Sequence, residues 1–179
     1  MNKIKFSIVA VLLLMSLTIS PNVVSAQDET IVVYGMPYDF TEFSQFTAQS
    51  YATVQWLSSV SAGLFARDVD EDRNYSPDLA ASMPTVSADK KVYTVTLKDD
   101  LKFSDGSDLT ADDVVFSYQA LLSPSINLNT YSTYATYFTN DSIVKIDDKT
   151  IEFTFGDPYA FAIGLLAGTI QPAAHFQDR

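Results

Sequence analysis

The sequence predicts a mixed fold of strands and helices, α/β or α+β, and three segments carry this prediction. Residues 93–97 alternate apolar and polar side chains, which is the pattern of a half-buried strand. Residues 110–122 combine a capping residue with an apolar stripe at helical spacing. Residues 143–155 place two strand-like runs around a short polar turn, which is typical of a β-hairpin.

The strand at 93–97 leads through a sharp turn into the helix. Tyr93, Val95 and Leu97 are expected on one face of the strand, with threonines on the other. The pair Asp105-Gly106 predicts the turn, because glycine accepts a positive φ that other residues resist.

The start of the helix at 110–122 is well marked. Thr110 is the expected N-cap, its hydroxyl accepting from the amide of Asp113. Asp112 and Asp113 lie in the first turn, where the helix dipole favours anions. The expected buried stripe consists of Val114, Tyr118, Leu121 and Leu122.

Further elements are predicted elsewhere along the chain. Residues 30–35 read as a buried strand, residues 50–65 as a helix that Gly63 ends, and residues 159–170 as a short buried helix. The apolar face of the helix at 50–65 is expected to consist of Tyr51, Val54, Trp56, Leu57, Val60 and Leu64. A further helix is expected to carry three tyrosines on one side, where packing is the favoured role: Tyr131, Tyr134 and Tyr137.

Residues 1–26 have the layout of a secretory signal peptide. Lys3 and Lys5 precede an apolar block at residues 7–20, and small residues lead to Ala26. The block is shorter than the roughly 20 apolar residues of a membrane-spanning helix. We therefore expect cleavage after Ala26 rather than a membrane anchor.

Charge and cysteine content narrow the class of protein. The formal net charge is −11, and loss of the two lysines of the leader moves it to −13. Such acidity argues against nucleic acid as a partner, because phosphates require Lys and Arg. The sequence contains no cysteine, so it forms no disulfide and offers no cysteine for a lipid anchor.

Residues suited to catalysis are scarce, which predicts that the protein is not an enzyme. His175 is the only histidine, and the sequence contains no Gly-x-Ser-x-Gly turn and no Gly-rich phosphate loop. Four carboxylates close in sequence could do acid/base chemistry, but turn and capping roles account for them. They are Asp105, Asp108, Asp112 and Asp113.

A run of alternating oxygen-bearing residues invites comparison with a calcium-binding loop. It consists of Asp68, Asp70, Asp72, Asn74 and Ser76. Arg73 replaces the sharp-turn glycine and Leu79 replaces the closing glutamate, so we expect a solvated loop, with no metal and no cofactor. Asn74 and Asn140 begin glycosylation-type tripeptides, which are common by chance.

The centre of the chain carries motifs that resemble a known family. Residues 103–106 match Phe-x-Asp-Gly, and residues 110–117 match Thr-Ala-x-Asp-Val-x-Phe-Ser. Together with the rest of residues 93–124, they resemble the signature of the family 5 solute-binding proteins of ABC transporters. This group includes oligopeptide-, dipeptide- and nickel-binding proteins. Lys98 and Ser104 depart from the usual Arg and frequent His without disturbing the fold.

The flanking segments are similar to the same family in the same order. Residues 63–83 resemble its Leu-Phe-Glu and Pro-x-Leu-Ala segment, with Met83 where Trp is usual. Residues 144–161 and 170–175 resemble its hairpin and Ile-x-Pro-x-His segments. The resemblance is weakest at residues 35–46.

The resemblance implies an α/β fold of the periplasmic-binding-protein type II clam, with mixed sheets, flanking helices and two lobes. Residues 27–179 would form only part of the N-terminal lobe of the solute-binding domain. The sequence stops just after an apolar segment, without a capped helix or polar tail, which also predicts a fragment of a longer protein.

The resemblance also implies a function. The protein would be the extracytoplasmic solute-binding component of an ABC importer, periplasmic or at the cell surface and monomeric. It would bind peptides by closure of its lobes and deliver them to a membrane permease. Nickel complexes, haem and oligosaccharides are other ligands of the family. Two other classes stay open: a secreted enzyme, and a surface adhesion module that uses a similar lobe.

The loop after the first predicted strand is the candidate ligand site, because ligands in this fold class lie where strands end at the crevice between lobes. Tyr38 could stack on a ligand, and Asp39 could meet an ammonium group. The alternative is an ordinary surface loop with aromatic packing. The candidate residues are Met36, Pro37, Tyr38, Asp39 and Phe40.

Export of the protein from a bacterial host should remove residues 1–26. N-terminal sequencing of the exported product is expected to start at Gln27, because small residues precede the predicted cleavage point. The variant Ala26→Trp should leave the precursor uncut. An exported, membrane-held product that still begins near Met1 would contradict the prediction.

Overall fold

A computed structural model describes residues 50–68, 74–125 and 128–176, together with Gly35 and Phe46. The chain divides into two units, Met1–Gly35 and Met36–Arg179. Gly35 is the one described residue of the first unit, so the architecture below is that of the second. The strand predicted at residues 30–35 lies, but for Gly35, outside the described residues.

The described elements are a mixture of helices and strands. They are α1 (Tyr51–Val60), β1 (Phe65–Arg67), β2 (Tyr75–Pro77), β3 (Thr85–Val86), β4 (Val92–Thr96), α2 (Ala111–Leu121), α3 (Leu128–Tyr137), β5 (Ile143–Asp147), β6 (Thr150–Thr154) and α4 (Ala162–Leu165). Two 3₁₀ turns lie at Asn140–Ser142 and Ala173–His175.

The main sheet has four antiparallel strands in the order β3-β4-β6-β5, and β1 and β2 form a separate antiparallel pair. On the main sheet, Tyr93 faces Phe153 and Val95 faces Ile151, and all four side chains are buried. The ring of Tyr118 from α2 packs edge-on to Phe153 with the centroids 4.9 Å apart. Full burial of an apolar side chain of this size contributes about 1.5–3 kcal/mol to the stability of the fold. The layer between the main sheet and α2 therefore forms the core.

The strand, hairpin and helix that the sequence predicts most strongly are confirmed. The strand at 93–97 buries the predicted face, and residues 143–155 form the β5–β6 hairpin. The stripe of α2 is also confirmed: Val114, Tyr118 and Leu121 are buried, and Leu122 is half-buried at the C-cap.

The prediction of one helix over residues 50–65 is wrong in its end and its face. The helix ends at Val60, and the chain is extended from Ser61. Val54 and Val60 are 51% and 61% exposed, whereas Leu57 is buried. The reason lies in tertiary pairing: Ala62 and Gly63 bond to a distant segment instead of continuing the helix.

Gly63 serves close packing rather than helix termination. A Cβ at this position would lie 2.8 Å from the carbonyl oxygen of Ala167 and 2.9 Å from that of Gly168. Backbone atoms cannot rotate away as a side chain does, so only glycine fits without a shift of the chain.

The short buried helix predicted over residues 159–170 is mostly not helical. Only Ala162–Leu165 is helical, and Thr169 instead pairs with Gly63 in an antiparallel bridge. Leu166 and Ile170 are buried as the prediction required. The predicted burial is therefore confirmed for these two residues, but pairing with another segment decided the backbone conformation.

Replacement of Gly63 by Ala should destabilise the protein by about 1–3 kcal/mol, the usual cost of forcing extra atoms into a packed site. Urea unfolding followed by circular dichroism measures the change. Gly156→Ala is the matched control, because a Cβ there meets nothing within 4 Å. Equal stability losses in the two variants would show that the close approach at Gly63 is unimportant.

Candidate functional site

A segment near the end of the described chain contacts both α2 and the residues that follow α1. Residues 169–176, here called the strap, lie against α2 on one side and residues 62–63 on the other. The Ile170 amide donates to the Ala62 carbonyl at 3.0 Å. The Gln171 amide donates to Ser117 Oγ at 2.8 Å, and the Ala173 amide donates to Asp113 Oδ1 at 2.9 Å.

Asp113 and Ser117 act as one polar anchor on α2. They lie one helical turn apart, both are buried, and Ser117 Oγ donates to the Asp113 carbonyl at 2.7 Å. The Asp113 carboxylate also accepts from the Thr110 amide at 2.9 Å and the Thr110 hydroxyl at 3.2 Å, as half of a capping box. These bonds satisfy a buried carboxylate that would otherwise be costly.

The capping and turn roles predicted for the four carboxylates omit this anchor. Asp112 is exposed and pairs with Lys145 at 2.7 Å, and Asp108 pairs with Lys102. Asp113 lies in the first turn of α2 as predicted, and its carboxylate accepts from Thr110. It also holds the strap, which the sequence analysis missed. The available signal was a polar pair four residues apart beside the apolar stripe, and the sequence does not show which segment such a pair contacts.

The predicted turn at Asp105-Gly106 is confirmed. The Gly106 amide donates to the Phe103 carbonyl at 3.0 Å, and the Phe103 amide donates to the Ser107 carbonyl at 2.9 Å. Gly106 has φ +89°, the conformation that favours glycine. Asp105 Oδ1 accepts from the Ser107 amide at 2.9 Å and its hydroxyl at 2.7 Å, which fixes the carboxylate at the tip.

A groove of about 380 Å³ opens between α1, the turn and the strap. Its walls combine polar and apolar side chains, and the apolar ones include Trp56, Leu57, Leu79, Leu109 and Ile170. Its ionisable lining residues are Lys102, Asp105 and His175.

The charged residues of the groove are paired. His175 Nε2 lies 3.3 Å from Asp105 Oδ2. Hydrogen bonds from the Ser107 hydroxyl and amide hold the pKa of Asp105 below its usual value, and His175 acts in the same direction. The hydrogen bond to Asp108 raises the pKa of Lys102. The groove is therefore lined by balanced charges rather than by an excess of one sign.

The described residues can be searched for a metal site and for a membrane span. Within residues 50–68, 74–125 and 128–176, no three or more His, Asp or Glu side chains are grouped so that they could hold a metal ion. Asp70 and Asp72 of the calcium-like run lie outside the described residues, and Ser76 Oγ donates to Asp68 Oδ1 at 2.6 Å. No helix within the same ranges has the length and apolar character needed to cross a membrane.

The predicted packing role of the α3 tyrosines is confirmed for two of them. The ring of Tyr134 lies against Tyr118, with the centroids 6.1 Å apart, and burial raises the pKa of Tyr134 to about 12. Tyr137 stacks on Tyr159 at 4.3 Å. Tyr118 is fully buried, and burial raises the pKa of its hydroxyl well above the usual value.

The predicted ligand residues Met36, Pro37, Tyr38, Asp39 and Phe40 lie outside the described residues. Their role in binding therefore stays a prediction.

Comparison with known proteins assigns the family. The sequence model of the bacterial extracellular solute-binding proteins, family 5 Middle, matches residues 74–179. The glutathione-binding protein GsiB of Escherichia coli O1:K1 is 30% identical over 153 residues, covering 83% of this chain and 28% of its own length. The chain therefore belongs to family 5 of the bacterial extracellular solute-binding proteins.

Other relatives agree with this assignment. The periplasmic oligopeptide-binding protein OppA of Escherichia coli K12 is 31% identical over 127 residues, covering 61% of this chain and 23% of that protein. The structure of Listeria monocytogenes OppA bound to peptide has a TM-score of 0.64 at 25% identity, covering 74% of this chain and 29% of that one.

Haemophilus influenzae OppA in complex with RPPGFSPFR has a TM-score of 0.66 at 20% identity, covering 76% of this chain and 29% of that one, which supports the fold alone. The predicted fold class is thus confirmed as that of the type II periplasmic binding proteins. The chain spans less than a third of the length of each of these relatives.

Removal of the Asp113 carboxylate should release the strap. Asp113→Ala leaves the Ala173 and Thr110 amides without their partner, and we expect a loss of about 2–4 kcal/mol in unfolding free energy. Chemical denaturation measures the loss, and hydrogen exchange should show reduced protection of the Ala173 amide.

Asp112→Ala is the matched control for this variant. Asp112 occupies the same first turn of α2 but is exposed, so its loss should cost under about 1 kcal/mol. If both variants lose the same stability and Ala173 stays protected, the strap does not depend on Asp113.

Proposed function

We propose that this chain is part of the solute-binding component of an ABC importer, and that the whole protein binds peptides outside the cytoplasm and delivers them to a membrane permease. It acts in the periplasm or at the cell surface. The protein does not transform its ligand; binding and release are its whole reaction. In this proposal, residues 1–26 are the cleaved leader and residues 27–179 belong to the N-terminal lobe.

One observation carries the proposal: the family assignment covers residues 74–179 and includes relatives named for peptide-like ligands. Those names are glutathione-binding and oligopeptide-binding, and glutathione is itself a tripeptide. The described groups also favour binding over catalysis, because the carboxylates near the groove serve a turn and ion pairs. The closing of two lobes on a ligand is a known route from binding to signalling.

Residues 36–40 are the proposed contact with the ligand. Asp39 would bind the free ammonium group of a peptide, and Tyr38 would stack on a side chain or bond to the peptide backbone. A charged hydrogen bond of this type contributes about 1.5–3 kcal/mol. Selectivity for peptides with a free amino terminus follows from this assignment.

Isothermal titration calorimetry on the whole protein that the gene encodes tests the proposal. Di- to pentapeptides and glutathione are expected to bind, and a nickel–histidine complex tests the other ligand class found among relatives. Asp39→Asn should weaken binding of a free-amino peptide by about tenfold or more.

The same peptide with an acetylated amino terminus supplies the control. It should bind the native protein and Asp39→Asn equally, because it has no ammonium group for Asp39 to bind. Asp89→Asn, an exposed carboxylate on the β3–β4 turn, should leave both affinities unchanged. Absence of binding for every peptide would overturn the proposed function. Peptide binding that is insensitive to Asp39 would overturn only the proposed site.

A further inference from the structure

We propose that Ser107 protects the bond between Asp105 and Gly106 from isomerisation to isoaspartate. This pair is the one Asp-Gly sequence of the chain, which has no Asn-Gly. Asp-Gly pairs isomerise readily, because glycine has no side chain to hinder ring closure. The turn nevertheless requires glycine here, since Gly106 has φ +89°. The protection concerns the turn itself and is independent of the proposed function.

Isomerisation starts when the backbone nitrogen of Gly106 attacks the side-chain carbon Cγ of Asp105. The nitrogen loses its proton and Cγ loses a hydroxyl, which leave as one water molecule, and a five-membered succinimide ring remains. Water then opens the ring, and opening at the main-chain carbonyl gives isoaspartate, in which the chain runs through the former side chain. The water released equals the water consumed, so the reaction needs no other reactant.

Burial does not protect the two reacting groups. Residues 104–107 are exposed, so water reaches both Asp105 and Gly106. The hydrogen bonds of the turn are the protection that remains. The Gly106 amide donates to the Phe103 carbonyl at 3.0 Å, so the attacking nitrogen has to give up this bond before it loses its proton.

The carboxylate of Asp105 is held in place by Ser107. Its Oδ1 accepts from the Ser107 amide at 2.9 Å and from the Ser107 hydroxyl at 2.7 Å. Its Oδ2 lies 3.3 Å from His175 Nε2. Rotation of the carboxyl group into the position for ring closure breaks the bonds to Ser107, and each broken bond raises the barrier.

Ser107 also disfavours the reactive form of the carboxyl group. A protonated carboxyl group can lose a hydroxyl, whereas a carboxylate has no group that can leave. Hydrogen bonds from the Ser107 hydroxyl and amide hold the pKa of Asp105 below its usual value. A lower pKa leaves a smaller protonated fraction at neutral pH. Ser107 therefore opposes the reaction through both the position and the charge of Asp105.

The rate of isoaspartate formation in the whole protein that the gene encodes, incubated at neutral pH, tests the proposal. Trypsin releases residues 103–145, because Lys102 and Lys145 flank a stretch without Lys or Arg. Electron-transfer fragmentation then distinguishes isoaspartate from aspartate at residue 105. The native protein should isomerise more slowly than a synthetic peptide of residues 101–110 by about tenfold or more, because the short peptide does not keep the three hydrogen bonds of the turn.

Variants of Ser107 separate its role from that of the turn. Ser107→Ala removes the hydroxyl and keeps the amide, so the rate in the folded protein should rise by about two- to twelvefold, the effect of one hydrogen bond. Ser107→Thr keeps both donors and should isomerise at the native rate. Ser104→Ala is the matched control, because it changes an exposed serine on the other side of Asp105 and leaves both bonds from Ser107 in place.

A native protein that isomerises as fast as the peptide would show that the turn gives no protection. A native rate in Ser107→Ala would exclude a role for its hydroxyl, and equal acceleration in Ser104→Ala would assign the effect to loosening of the turn. Far-UV circular dichroism checks that each variant is folded. If Ser107→Ala is not folded, Ser107→Cys in a reducing buffer decides, because a thiol has a similar shape but is a weak donor and should also raise the rate.

Discussion

Asp113 holds together parts of the chain that lie 60 residues apart. Its carboxylate caps α2 through Thr110 and binds the backbone of the strap at Ala173. Ser117, one turn further along α2, repeats the contact at Gln171. Because a buried carboxylate is costly without its hydrogen bonds, these bonds hold the strap against α2. The shape of the groove follows from that position.

The position of the strap also explains why residue 63 must be a glycine. With the strap fixed on α2, the preceding residues run alongside residues 62–63 and bring the carbonyl of Ala167 within 2.8 Å of a Cβ at Gly63. The helix α1 must end before this point, since an extended backbone is needed for the bridge to Thr169. The end of α1 thus coincides with the bridge between Gly63 and Thr169.

The sequence predicted some features of the site and missed others. The turn at Gly106 and the cap at Thr110 depend on neighbours within a few positions, so local rules predicted them. The anchoring role of Asp113 depends on Ala173, and the contact of His175 depends on Asp105. Both partners are distant in the sequence, so rules that consider only short segments do not identify them. The family resemblance named these motifs without showing that they touch.

The sequence by itself determined the strand at 93–97, the β5–β6 hairpin, the cap and stripe of α2, and the family. These depend on side-chain periodicity and local hydrogen bonding, which are properties of short segments. The tertiary structure decided where α1 ends, how little of 159–170 is helical, and what Asp113 binds. In each case a bond to a distant backbone outweighed a weak local preference, and the energy of such a bond depends on a partner that only the folded chain brings near.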